Sequence, residues 1–230
     1  MKSFLIDVII PAYNEEKSIG KVIKDIPREL VRYIVVCNNN STDRTGKVAK
    51  EMGAVVIDSK EKGYGNACLS GIEYIMGLEH SPDIIVFLDG DYSDYPDQMD
   101  RVVNPIIRDS YELVIGSRAL GNRQQNSMQP HQIFGNWLAT RLIKFFYGYI
   151  FTDLGPFRAI TAEALKKINM EDRNYGWTVE MQVKAAKYKL RTSEVPVDYR
   201  ARIGISKVSG TLKGSVLAGY KIISTIFKYL

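Results

Sequence analysis

Residues 4–10 (FLIDVII) form an almost continuous apolar run, and 32–37 and 54–58 repeat the pattern. Such runs, rich in β-branched side chains, predict strands buried on both faces, as in a parallel sheet. Between the first two, Ile19, Val22, Ile23 and Ile26 recur at helical spacing and predict a helix over 15–26. Pro11-Ala12-Tyr13-Asn14 makes the intervening turn. Ser41 or Thr42 is suited to cap the next helix, which should stop near Gly53. A turn over 62–66 then leads into a helix over 66–78, a strand ending at Asp89, a helix from about Pro96 to Arg108 and a strand over 112–117. This alternation predicts a parallel sheet joined by right-handed crossovers.

After Arg118 the pattern changes. Residues 119–130 (ALGNRQQNSMQP) are polar and read as a mobile loop of a length that is usually functional. An aromatic-rich helix is expected over about 133–149, then helices over 161–168 and 176–189, a strand near 193–199 and a closing helix from about 211. In that last helix, at ~100° per residue, Val216, Tyr220, Ile222, Ile223, Ile226, Phe227 and Leu230 share one arc, with Leu217 as the exception. Lys213, Lys221, Ser224, Thr225 and Lys228 lie opposite. Two readings suit this: a helix packed on the domain, or an anchor lying in a membrane plane.

A chain of 230 residues can bury a full core as one large domain. Cys37 and Cys68 read as small buried thiols. No stretch of 18 apolar residues occurs, and no signal core follows Met1-Lys2-Ser3. The expectation is a cytoplasmic protein, with peripheral contact at the inner face of the membrane as the alternative. The net charge of +5 is uneven. Residues 181–230 carry ten basic residues against Glu194 and Asp198. A basic end of that kind points to an anionic partner: phosphate, anionic lipid or nucleic acid. The aromatics do not interleave with the basic residues as stacking platforms would, so no nucleic acid is expected.

The candidate chemistry sits where strands end. The run Ile84-Ile85-Val86-Phe87-Leu88 stops at Asp89-Gly90-Asp91. Ligands of open α/β sheets collect at such ends. Two acids there can share a hard cation with a substrate phosphate, and the glycine lets a diphosphate approach. Acids also cap helices at such places. Four further segments share the same edge: Pro11-Ala12-Tyr13-Asn14-Glu15, Asn38 to Asp43, Lys62-Gly63-Tyr64-Gly65-Asn66 and Gly116-Ser117-Arg118.

This set resembles the family 2 glycosyltransferases of GT-A fold, and is most similar to their polyprenyl-phosphate branch, the dolichyl-phosphate mannose and glucose synthases. The resemblance implies an α/β, Rossmann-like single domain over 1–210 with a mixed, mainly parallel sheet flanked by helices. Residues 1–118 would form the nucleotide-sugar half and 119–210 the acceptor half, followed by an amphipathic helix over 211–230. Pro11, Ala12, Tyr13, Glu15, Asn38, Asn39, Lys62, Gly63, Asp89 and Gly90 would bind the nucleotide sugar, with Glu15 accepting from ribose hydroxyls. Members usually carry an acidic pair where this chain has Asn38 and Asn39, so the base is open. Asp43 also suits a helix N-terminus. Asp89 and Asp91 would hold Mg²⁺ or Mn²⁺, and Arg118 would grip the diphosphate.

On the acceptor side, Glu180 matches a family acid near the transferred sugar and could serve as a base for an alcohol. A lipid phosphate arrives already anionic and needs cations instead. Arg158, Arg202 and Lys207 are the matching candidates, with Arg200 less certain. The resemblance therefore implies inverting, metal-dependent hexose transfer, catalysed through Asp91, Glu180 and Arg118. The donor would be of the GDP-mannose or UDP-glucose type and the acceptor a polyprenyl phosphate. A hydroxyl-directed glycosyltransferase with Glu180 as base, and a non-catalytic protein that binds nucleotide sugars or nucleic acid, are the alternatives.

Overall fold

The computed structural model describes residues 4–204 and 212–230, the latter with side chains at 217 and from 219 on. Its first half alternates as the apolar runs require. Strand β1 (Ile6–Ala12) is followed by α1 (Ile19–Asp25), β2 (Tyr33–Asn38), α2 (Thr45–Glu51), β3 (Val55–Asp58) and α3 (Tyr64–Met76). Then come β4 (Ile84–Phe87), a 3-10 turn, α4 (Met99–Asp109) and β5 (Leu113–Ser117). The second half adds α5 (Pro130–Tyr147), β6 (Arg158–Thr161), α6 (Ala162–Ile168), α7 (Trp177–Lys187), β7 (Thr192–Pro196) and α8 (Leu212–Lys228).

These strands form a seven-stranded sheet in the order β3-β2-β1-β4-β6-β5-β7. All pairings are parallel except those of β6, which runs antiparallel to β4 and β5. The mixed α/β sheet flanked by helices is thus the expected one. The strand β6 itself has no counterpart in the periodicity. Four residues are too few to alternate, and Arg158 at its head reads as polar.

Each central strand is buried on both faces. Ile9, Val35, Ile85 and Phe87 face a core shared with Ala67 of α3, Ile143 of α5 and Val183 of α7. Val8, Ile10, Val36 and Val86 face a second core shared with Val22 of α1, Ala49 of α2 and Val102 of α4. Double burial is why β1 and β4 read as unbroken apolar runs. Cys37 and Cys68 are both buried and free, as expected.

Two local expectations fail. Neither Ser41 nor Thr42 caps α2. Ser41 Oγ accepts from the Asn14 amide at 3.0 Å, and Thr42 N–H donates to Asn14 Oδ1 at 2.8 Å, fastening the β1 turn. Asp43 meets the helix start instead, accepting from Thr45 N–H at 2.9 Å. The closing helix packs on the domain and keeps an exposed apolar face. Thr225 and Ile226 are buried, while Tyr220, Ile223, Phe227 and Leu230 remain exposed with Leu217. Lys221 and Lys228 do not point away from the domain: they pair with Asp172 at 2.9 Å and Glu171 at 3.0 Å. The side chains of Lys213 and Val216 lie outside the described residues. Among the described residues no helix is long and apolar enough to cross a membrane.

A charged pair secures β1. The fully buried Asp7 receives Arg32 bidentately, Nε to Oδ1 at 3.0 Å and Nη2 to Oδ2 at 2.6 Å. Removing the arginine would strand a buried carboxylate. Arg32→Ala is therefore expected to cost roughly 3 kcal/mol, the low end for a broken buried pair because Arg32 is partly exposed. Urea unfolding at pH 7 measures it, and a loss below about 1 kcal/mol would place the pair among ordinary surface bridges.

Candidate active site

The carboxyl ends of β1 and β2 lie level, since Pro11 pairs with Cys37 and Ala12 with Asn38, and β4 runs parallel beside β1 with its last residue, Phe87, opposite Ile9. Above them opens a cleft of about 1040 Å³. Pro11, Ala12, Tyr13, Glu15, Asn39, Lys62, Gly63, Asp89, Gly90 and Asp91 all line it, as does Arg118. The turn glycines have structural reasons as well. Gly63 adopts φ +137°, and a Cβ on Gly63 or Gly65 would collide with the Arg173 or Asp172 carbonyl at 2.2 or 2.0 Å. Gly65 thus serves close packing against the 172–173 backbone.

Acids dominate the head of the cleft. Asp89 accepts from the Tyr64 hydroxyl at 2.9 Å. Burial, then the neighbouring Asp91 charge, push the Asp89 carboxyl up to about 7. A third carboxylate, Asp94, is buried beside them and shifted upward by the same two causes, with Asp89 as the larger charge. Its Oδ1 has no hydrogen-bond partner among the described residues. Such crowding calls for positive charge. Arg202 supplies some of it, donating through Nη2 to Glu15 Oε1 at 2.8 Å and pairing through Nη1 with Asp91 Oδ2 at 3.2 Å. The donor set fits a divalent cation: hard oxygens, an orphaned buried oxygen and an arginine that bridges two carboxylates. Among the described residues no group of three or more ligand side chains surrounds a point by itself. A diphosphate would have to complete the coordination, as is common for Mg²⁺.

Arg200 proves structural. Its guanidinium lies 3.4 Å from the Tyr92 ring centroid, and Nε donates to the Tyr92 carbonyl at 2.7 Å. It thereby fixes the turn after Asp91, where Tyr92 takes φ 65°.

Several expected site residues stand elsewhere or in other roles. Asn38 does not line the cleft; its amide donates to Asp58 Oδ1 at 2.7 Å at the sheet edge. Asn39 does line it, with its amide bonded to both the N–H and the carbonyl of Gly63. Arg118 is held by Asp153, Nε and Nη2 each donating at 2.7 Å, so the structural pair exists alongside its place in the cleft. Arg158 is not an acceptor ligand. It is fully buried, and its guanidinium donates to the Leu154, Gly155 and Thr178 carbonyls. Burial lowers its pKa to about 10. Arg202 lines the same cleft, paired with Glu15 and Asp91 among its acids. Lys207 lies outside the described residues.

Glu180 is not placed as a base. It is fully buried and absent from the cleft lining. Its oxygens accept from Glu171 N–H at 2.9 Å, Asp172 N–H at 2.7 Å and the Tyr229 hydroxyl at 2.8 Å, and Lys184 pairs with it at 2.8 Å. The motif spacing could not reveal this, because Tyr229 is far along the chain. Sequence reasoning also missed Tyr64 and Tyr199, which line the cleft, the latter with its ring centroid 5.0 Å from the Arg118 guanidinium, and the buried Asp94. For Asp94 a signal existed: a third acid three residues beyond Asp91.

The family model for glycosyl transferase family 2 matches residues 7–169. The chain belongs to that family and is a glycosyltransferase. It is 30% identical over 244 residues to the UDP-N-acetylglucosamine–dolichyl-phosphate N-acetylglucosaminyltransferase of Methanococcus voltae, covering 96% of this chain and 94% of that one. It is 32% identical over 212 residues to a dolichyl-phosphate hexose transferase of Haloferax volcanii, covering 91% and 89%. Among solved structures, glucosyl-3-phosphoglycerate synthase of Mycobacterium tuberculosis, in complex with Mn²⁺, UDP-glucose and phosphoglyceric acid, superposes with TM-score 0.78 at 22% identity. That match covers 98% of this chain and 79% of the other, and it establishes the GT-A fold.

The Glu180 environment generates a discriminating prediction. Glu180→Gln should lower stability by roughly 2–3 kcal/mol, the worth of hydrogen bonds to a buried charge. Turnover of the folded enzyme should stay within about threefold, because no reacting group is touched. Loss of a general base would instead cost ~10²–10⁴-fold at unchanged stability. Thermal unfolding paired with steady-state kinetics below the transition separates the two.

Proposed function

We propose that this glycosyltransferase moves a hexose from a nucleoside diphosphate sugar to a polyprenyl phosphate, with inversion at the anomeric carbon. The observation that carries the reading is the meeting of Asp89, Asp91, Glu15 and Arg202 at the head of the cleft. That set of charges suits a ribose, a diphosphate and a divalent cation together. The names of the two archaeal relatives, both referring to dolichyl phosphate, support the acceptor class. The sealed Glu180 weighs against the hydroxyl-directed alternative, which needed it as base.

Mg²⁺ or Mn²⁺, held by Asp91 and Asp89, would neutralise the departing diphosphate as a Lewis acid. Glu15 turns from Arg202 to the ribose hydroxyls. Arg202, released from Asp91, remains a cation beside the diphosphate, and Arg118 lines the same cleft. Pro11, Tyr13, Lys62 and Gly63 line the donor's path. The acceptor's phosphate oxygen attacks the anomeric carbon from the face opposite the diphosphate. The carbon–oxygen bond to the diphosphate breaks, and both electrons leave with that oxygen. No proton need be removed, because a phosphate monoester is already ionised near neutral pH.

Two surfaces would serve this reaction. Loop 119–130 overhangs the cleft through Asn126, Ser127 and Met128, and its base is tied by Gln124 N–H donating to the Tyr199 carbonyl at 2.7 Å. It is suited to close over bound donor. Helices α5 and α8 carry no acid, and they expose Phe134, Trp137, Phe145, Tyr220 and Phe227. Phe146 and Phe227 join them, with ring centroids 5.1 Å apart. This pair of helices, more than 211–230 alone, suits peripheral contact with a membrane.

The direct experiment is a transfer assay with UDP- and GDP-sugars, Mn²⁺ or Mg²⁺, and either a short polyprenyl phosphate or the matching alcohol. Product on the phosphate alone is expected; product on the alcohol alone would overturn the acceptor class. Asp91→Ala should abolish transfer while shifting the unfolding midpoint little. Transfer that persists undiminished in EDTA would remove the metal from the mechanism. Limited proteolysis tests the loop: cleavage within 119–130 should slow when donor and Mn²⁺ are added, and unchanged cleavage would end its role as a lid.

A further inference from the structure

Beside the cleft lies a second cavity of about 390 Å³. One wall is a single face of α5, where Ile133, Trp137, Arg141 and Lys144 recur at helical spacing. The opposite wall is residues 150–153, with Arg123 and Met128 closing the side. Its polar lining is strongly cationic. Arg118 is neutralised by Asp153 at 2.7 Å. Arg123, Arg141 and Lys144 take part in no ion pair among the described residues. Three uncompensated cations thus surround a space whose remaining wall is apolar.

That apolar wall continues outward. Phe151 is buried at its base, whereas Ile133, Trp137 and Ile150 are exposed by 43%, 51% and 69%. Phe134, 61% exposed, extends the same rim and lies 5.9 Å from Trp137 between ring centroids. A free phosphate would satisfy the cations and leave the wall unused. A neutral lipid would do the reverse. The chemistry that uses both is an anionic head on a hydrocarbon chain. The cavity also adjoins the donor cleft, because Arg118, Met128 and Asn136 line both.

We propose that this cavity is the acceptor port. An isoprenoid phosphate enters over Ile133, Trp137 and Ile150. Its phosphate is held by Arg123, Arg141 and Lys144, and its free oxygen points past Arg118 toward the donor's anomeric carbon. The assignment rests on the polyprenyl-phosphate reading and replaces the buried Arg158 with three reachable cations.

The test is calorimetric titration of the full chain with farnesyl phosphate, farnesol, inorganic phosphate and dihexanoyl phosphatidate, followed by transfer kinetics. Arg141, Lys144 and Trp137 are exposed on α5, so their substitution should leave folding intact. Losing two charge-assisted contacts in the Arg141→Gln, Lys144→Gln double variant should weaken farnesyl phosphate binding ~100-fold. The acceptor KM should rise in step, and the donor KM should not move. Arg123→Gln should act in the same direction. Trp137→Ala should weaken farnesyl phosphate but not inorganic phosphate, and Lys47→Gln on α2 should change nothing. Tight farnesyl phosphate binding in the double variant would overturn the port while leaving the function intact. Phosphatidate that binds as tightly as farnesyl phosphate, and is weakened equally, would make this a lipid-headgroup site and also overturn the port. A wild-type enzyme that glycosylates an alcohol but neither binds nor uses farnesyl phosphate would overturn both the function and the port.

Discussion

Three carboxylates crowd the carboxyl end of β4: Asp94 is buried, while Asp89 and Asp91 line the cleft with little solvent exposure. Like charges so placed repel, and desolvation leaves little screening. Much of the rest of the site can be read as the answer to that repulsion. Tyr64 donates to Asp89, Ser93 donates its backbone N–H to Asp91 at 2.9 Å, and Arg202 bridges Asp91 to Glu15. Arg200 holds the 92–94 turn from outside. Both of these arginines follow β7, so the acids of the fourth strand depend on the chain's last third. The cleft is therefore not lined by residues 1–118 alone. A cation bound with a diphosphate would relieve the same repulsion.

A second network links the terminal helix to the cleft. Tyr229 and Lys184 seal Glu180, and Lys221 pairs with Asp172. Glu180 in turn accepts from the amides of Glu171 and Asp172. The carbonyls of Asp172 and Arg173 press on Gly65 and Gly63, which leave no room for a side chain. Asn39 then grips Gly63 from the other side. Polar groups this deeply buried are costly when half satisfied, which explains why so many partners converge on one carboxylate. The α8 helix is thus tied both to an apolar surface with α5 and to the wall of the cleft.

Six of the seven strands, their order of appearance and the sheet edge that bears the cleft were legible in the residues. An apolar run buried on both faces has few alternatives, and a ligand site at its carboxyl end follows from parallel packing. Pro11, Glu15, Gly63, Asp89 and Asp91 all stand where that logic puts them. Local chemistry sufficed because each lies at the end of a strand or in the turn that follows it. The short β6 was not legible, since its identity depends on being inserted between β4 and β5 rather than on any repeat.

Charged side chains of the second half were the least legible. Arg158, Arg202, Glu180 and Arg118 are equally polar in the string. One is spent on backbone carbonyls in the core, one bridges donor-site acids, one anchors a helix, and one is clasped by Asp153. The difference lies in partners up to 187 positions away, as for Arg202 and Glu15. Hydrophobic burial is written locally, because one residue's neighbours two or four positions along share its face. The role of a charge is set by what the completed fold brings against it, so here the chain specified the sheet and its reactive edge, and three-dimensional packing assigned the ions.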